Sequence, residues 1–326
     1  MKIKRLAPLA LALPLTLLCA CRNVNSLTFG AYWYGDTTNS NIFSGETETL
    51  EYDVSFEPAE NSNLQLSYEG TYTMRLSDEN RLVDGASVPC YHLSTELSVS
   101  ATFTLNGESK SFEDSVVSDV YFLSVAEGLR PLESSKTVVS TSPLNTHPSS
   151  LDKDVAYHTF RYATHVVYAT NLRSAAFTLD NLDSDADDDD EAVTVSLGDK
   201  GSYLDNEQLL FALRGLDMTS SENFRTINPT KRMEEKIAFS EAPEAVLQSA
   251  RFTLNGEEVD TEIEARKLSL SYQSEASGQA QTFVYATHSG SAGNRYRHVL
   301  LSYRAPAVQS VGTVVYTLKS ATFTTK

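Results

Sequence analysis

The sequence predicts an all-β protein: two tandem, internally duplicated antiparallel β-sandwich-like domains after a cleaved signal peptide. Three observations carry that expectation. Apolar and polar residues alternate along many short runs, and Asn-Gly pairs punctuate them. A set of segments also recurs in the same order roughly 140 to 150 residues later.

The alternation is clearest where Val99, Ala101, Phe103 and Leu105 share one face of an extended chain and Ser100, Thr102 and Thr104 share the other. This is the period-2 pattern of a half-buried strand. Similar runs cover Leu50 to Phe56, Leu64 to Met74, Val116 to Val125, Tyr157 to Tyr168 and Lys267 to Tyr272. Asn106-Gly107 and Asn255-Gly256 follow such runs directly. Both central residues of a type I′ turn need positive φ, which Asn and Gly tolerate, so each pair marks a hairpin. Helical signal is confined to Asn206 to Leu213 and Thr230 to Ala238, about two turns each and without a sustained apolar stripe.

The repeat is read from matching segments. LSVSATFTLNGE (97–108) resembles LQSARFTLNGE (247–257), sharing Phe-Thr-Leu-Asn-Gly-Glu at Phe103 to Glu108 and Phe252 to Glu257. KTVVSTS (136–142) matches QTFVYATHS (281–289), Tyr157-His158 matches Arg297-His298, and VVYATNLRSAAFTL (166–179) matches VVYTLKSATFTT (314–325). Any one match between Thr/Ser/Val-rich strands arises by chance; the shared order points to duplication of one domain. The expected copies are residues 27–182 and 192–326. Between them, residues 183–191 place seven carboxylates in nine positions, a solvated linker by mutual repulsion. A sharper reading of the same run is calcium, because Asp183, Asp185 and Asp187 have the alternate spacing of the first EF-hand ligands. That loop also needs Gly at its sixth position and Glu at its twelfth, where this chain has Asp188 and Thr194, so only a looser calcium site fits.

The first 20 residues give the compartment. Lys2, Lys4 and Arg5 precede an apolar stretch from Leu6 to Leu18, too short for the ~20 residues of a membrane span but right for an export signal. The stretch closes on Leu18-Cys19-Ala20-Cys21, which resembles the bacterial lipobox: aliphatic Leu18 at −3, small Ala20 at −1, then Cys21. Cys19 fits less well, since Leu18 would stand at its −1 position. The resemblance implies diacylglycerol on Cys21, residues 21–26 as a short tether, and a location on the outer face of a bacterial membrane. An ordinary secretory signal cut after Ala20 is the competing reading.

Composition narrows the partners. Removing the signal takes three of the 26 basic side chains and none of the 43 acidic ones. That balance opposes nucleic-acid binding, which needs Lys and Arg to neutralise phosphates, and it opposes electrostatic docking on anionic lipid. After acylation of Cys21 only Cys90 is left, so the mature chain has no internal disulfide. Cys90 and His92 share a strand face, yet a buried, inert thiol is the simpler reading. No HExxH, P-loop, Gly-x-Ser-x-Gly or Cys-x-x-Cys occurs, and the six histidines do not cluster at metal-ligand spacing. His158 and His298 fall at matching repeat positions, which predicts a shared structural role in a strand. Tyr32-Trp33-Tyr34 is the best aromatic candidate for stacking on a sugar ring; the competing reading puts Leu27, Phe29, Ala31 and Trp33 on the core side of the first strand.

The functional expectation is a lipid-anchored envelope protein with a non-enzymatic binding or structural role, with an envelope protein or a glycan as partner. The alternatives are a glycan-binding module of an uptake or degradation system, and an extracytoplasmic hydrolase whose carboxylates converge only in three dimensions. Mass spectrometry of the mature N-terminus should find Cys21 as the first residue, carrying diacylglycerol. An unmodified Cys21, or cleavage elsewhere, would remove the anchor from the scheme.

Overall fold

The computed structural model describes Phe29 and residues 46–59, 65–105, 107–143, 157–171, 173–183, 191–197, 203–216, 223–272, 280–287, 295–307 and 312–325. It is all-β. The first half supplies β1 (Glu46–Pro58), β2 (Gln65–Val83), β3 (Ala86–Leu105), β4 (Glu108–Phe122), β5 (Pro131–Pro143), β6 (Tyr157–Tyr168), β7 (Ser174–Asn181) and β8 (Glu191–Ser196). Each pairs antiparallel with the next. The second half supplies β9 (Tyr203–Asp205), a single helical turn α1 (Leu209–Ala212), β10 (Asn223–Asn228), β11 (Met233–Glu241), β12 (Val246–Leu254), β13 (Glu257–Tyr272), β14 (Gln281–Ala286), β15 (Leu300–Pro306) and β16 (Gly312–Thr325).

The halves are not two separate sandwiches. β1 pairs with β16 from Glu46↔Thr325 to Pro58↔Gly312, and one sheet runs from β8 through β1 and β16 to β9. A single apolar core crosses this seam: Leu50, Leu76, Leu93 and Val120 join Phe239, Leu268, Phe283 and Leu300. The expected boundary at 183–191 falls between β7 and β8, which are antiparallel neighbours from Ser174↔Ser196 to Leu179↔Glu191. The segment therefore connects two strands of one sheet. The physical reason is that isolated sandwiches would leave β1 and β16 as exposed edges, and pairing them satisfies both.

The repeats map only in part onto matching structure. Phe103–Glu108 and Phe252–Glu257 both end a strand and open a two-residue hairpin, β3 to β4 and β12 to β13. Gly107 (φ 84°), Asn255 (φ 50°) and Gly256 (φ 88°) hold the positive φ that the turn requires. The match between 166–179 and 314–325 does not hold: the first is the β6–β7 hairpin, the second the uninterrupted β16. Two extra residues in the first segment explain the difference, because Asn171 there accepts a hydrogen bond from the Arg173 N–H (2.9 Å) and closes a turn. Thr230 to Ala238 also departs from its helical expectation. Glu235, Ile237 and Phe239 bury alternate positions, as in a strand.

The curled sheet encloses the segment from Tyr203 to Leu216. Asp205 caps it, its carboxylate accepting from the Glu207 N–H (2.8 Å) while Gln208 reaches back to the Asp205 N–H. Phe211 packs on Tyr91 and Phe122, at ring separations of 5.8 and 5.1 Å. Tyr285 donates to the Leu210 carbonyl (2.8 Å), and Arg266 donates to that of Leu216 (3.1 Å). Contacts from both halves of the sheet thus converge on one plug. Phe29 reaches the same place, bridging to Leu216.

The plug is also charge-locked. Arg214 makes two hydrogen bonds to Glu48 of β1 (2.7 and 3.1 Å), and both side chains are almost fully buried. Removing one partner leaves an uncompensated charge in the core. Glu48→Gln should therefore destabilise the fold by about 3–5 kcal/mol in urea titration. A joint Glu48→Leu, Arg214→Met replacement should lose much less, and equal losses would show that the pair is not coupled.

Candidate ligand cavity

Five strands of the second half close a ring of their own. β12 pairs with β13, β13 with β14, β14 with β15 and β15 with β16. β16 then returns to β12 in parallel, Thr253↔Ser320 and Leu254↔Ala321. Asn255 seals the join: its backbone N–H donates to the Ala321 carbonyl (2.9 Å), and its side-chain oxygen accepts from the Phe323 N–H (2.8 Å). The residue chosen for a tight turn therefore also fastens the ring.

Ring closure depends on β13 burying both faces. Val259, Ile263 and Ala265 are buried at odd positions, and Leu268 and Leu270 are buried at even ones. Successive side chains point to opposite faces, so the odd row faces the ring and the even row faces the plug. Lys267 continues the odd row. By register it stands beside Val284, then Ser302, then Thr317; the neighbouring row is Thr282, Arg304 and Val315. On the far wall Val246, Gln248, Ala250 and Phe252 point inward from β12, and Leu247 on its outer side is 69% exposed. Between these walls lies a cavity of about 440 Å³, within the range of about 300–1,000 Å³ typical of small-molecule sites. Its interior is apolar at Val284, Val315, Leu301 and Leu318, and carries hydroxyls at Ser302, Thr282 and Thr317.

Two other polar clusters are explained by the fold. Asp205 is fully buried and ties the plug to β5 and β6, accepting from Ser134 Oγ (2.6 Å) and Tyr168 Oη (2.5 Å). Burial, with Glu207 close by, pushes its carboxyl up to about 6 against these hydrogen bonds. On the outer face His92 lies between Glu79 and Asp119, with each ring nitrogen 2.8 Å from a carboxylate oxygen. Arg81 beside it lies over the Tyr121 ring and pairs with Glu133, which also bonds His165 (3.0 Å). This row ties β2 to β6 across the surface.

Among the sequence candidates, Cys21, Tyr32, Trp33, Tyr34, Asp185 and Asp187 lie outside the described residues. Asp183 is described and half-buried. It sits 3.7 Å from Arg161, and its N–H donates to Asn181 Oδ1 (3.0 Å). Among the described residues no cluster of three His, Cys, Asp or Glu has metal-binding geometry. Cys90 is buried with Leu123 and Leu132, and burial pushes its thiol up to about 11. His92 shares its face but is engaged by carboxylates. His158 and His298 do not share a role: His158 is exposed on β6 against Phe160, whereas His298 is buried in the turn before β15 with φ 52°. The sequence reading missed the cavity. Its one legible trace was the change of buried parity along β13.

No family model matches the chain, and no curated protein matches it. Among solved structures it is similar to a β-barrel-like protein of the domain of unknown function DUF1849 from Brucella abortus. That match has 7% identity, covers 86% of this chain and 98% of the other, and has a TM-score of 0.49.

Asp205 gives a prediction with a definite sign. Its folded value lies above the ordinary 3.8, so its contribution to stability is complete below about pH 4 and is lost as pH rises through about 6. Asp205→Asn stays neutral throughout. The stability advantage of the native chain over this variant should therefore shrink by up to about 3 kcal/mol between pH 4 and 7. Urea midpoints across that range test it; a constant gap would mean that Asp205 does not titrate there.

Proposed function

We propose that this protein is a bacterial lipoprotein, anchored outside the membrane through Cys21, with a non-enzymatic binding role in the cell envelope. The ring cavity is the place where it binds. The observation that carries the reading is the combination of a sheltered apolar wall with a few hydroxyl groups, the usual make-up of a small-molecule site.

Several features agree with it. Every lining residue lies on a strand, which holds a site more rigidly than loops do. Cys90, the one thiol of the mature chain, is buried with its proton held on, which suits a structural role rather than a nucleophilic one. The acidic chain keeps clear of anionic lipid surfaces, so a covalent anchor accounts for membrane attachment better than charge does. The tether is short: eight residues from Cys21 to Phe29 span at most about 28 Å, which holds the folded body close to the bilayer.

The test is a fragment screen followed by NMR shift mapping. Shifts should concentrate at Val284, Ser302 and Val315, and Ser302→Trp, which fills the cavity, should abolish them while the melting temperature is kept. Shifts elsewhere, or shifts that survive Ser302→Trp, would refute the site.

A further inference from the structure

We infer that the ring cavity takes a small amphipathic anion: a carboxylate or phosphate head carried on a short apolar body. The inference rests on the cavity being a binding site and specifies what it binds.

Charge is the first argument. The chain carries 43 acidic against 26 basic side chains, yet no carboxylate lines this cavity, whereas Lys267 and Arg304 do. Along the β1–β16 register the carboxylates on this face are Asp53 beside Thr317 and Glu57 beside Thr313. Both are already engaged. Asp53 pairs with Lys319 (3.2 Å) and Glu57 with Arg304. Among the described residues no carboxylate forms an ion pair with Lys267, so the lining carries a positive surplus in a molecule whose net charge is −17. A screening length of about 10 Å lets this local excess outweigh the distant acidic surface.

Position is the second argument. Lys267 on β13 and Arg304 on β15 stand two strands apart and two residues out of step, about 12 Å between backbones by strand geometry. Ser302 and Thr282 lie between them on the same face. An anionic head over Ser302 is thus within reach of a flexible ammonium and of two hydroxyl donors. A guanidinium already steadied by Glu57 flanks it. Beyond the head, Val284, Val315 and Leu301 offer only apolar surface, with Ala250 of β12 facing them. A cationic or purely polar ligand would leave that wall unmatched, and a neutral hydrocarbon would gain nothing from Lys267.

Calorimetric titration of the lipidated chain in phosphatidylcholine nanodiscs, referenced to empty discs, tests this. Octanoate and octyl phosphate should each bind with one site. Octanol and octylamine should bind at least ten-fold more weakly. Lys267→Glu should weaken both anions at least ten-fold, and Lys267→Gln less, with melting temperatures unchanged. A preference for octyl phosphate over octanoate, or the reverse, identifies the head group within the class. If octanol binds as tightly as octanoate and Ser302→Trp abolishes both, the cavity stands as a binding site and the anion preference is overturned. Octanoate binding unchanged in Lys267→Glu overturns it too. No heat from any probe above empty discs overturns both readings.

Discussion

The seam between β1 and β16 is the constraint on which the rest of the structure depends. It joins residues near positions 46 and 325, and through it two antiparallel meanders become one curved sheet. Without it each half would present an open edge and half a core. With it, Leu50 and Tyr52 of one half share a core with Phe283 and Leu300 of the other, and the Tyr52 hydroxyl donates across the seam to the Leu300 carbonyl (3.0 Å). Such distant pairing costs much loop-closure entropy before it brings any contact, so the seam is expected to form late in folding.

The plug follows from the seam. A sheet curled this far encloses more volume than its own side chains fill, and the segment from Tyr203 to Leu216 supplies the missing apolar bulk. Its backbone polar groups then need partners where water is excluded. They find them in Tyr285, Arg266 and the capping carboxylate of Asp205, while the Glu48–Arg214 pair fixes its far end to β1. Buried ion pairs seldom stabilise more than well-packed apolar groups would. The role best suited to these two is to specify one seating of the plug.

The ring cavity is a consequence of how β13 is shared. One end of this strand belongs to the ring and the other lies against the plug, so its two faces are buried in succession. β12 can then fold over the outer surface of β14 to β16, leaving space between two walls of different chemistry. Asn255 connects this architecture to a local rule: the residue that tolerates positive φ in the turn also carries the side-chain amide that fastens β12 against β16.

Much of this was legible from local pattern. The runs around Leu50, Tyr157 and Lys267 became strands, and the Asn-Gly turns became hairpins. The short helical signal at Asn206 became the capped turn of the plug. Backbone conformation and side-chain alternation are set within a few residues, so the chain carries that information openly. Long-range pairing is not written in the same way. Nothing near Glu46 announces Thr325 as its neighbour, and nothing in VVYTLKSATFTT says that it continues as one strand while its near-copy turns. The buried carboxylate–guanidinium pair of Glu48 and Arg214 is equally silent, since charge alone does not distinguish a buried residue from a solvated one. The sequence by itself determined the β class and the turns. Only the tertiary structure decided that the halves form one sheet and that Lys267 and Arg304 meet around a cavity, because which distant edges pair depends on the packing of the whole chain rather than on any local preference.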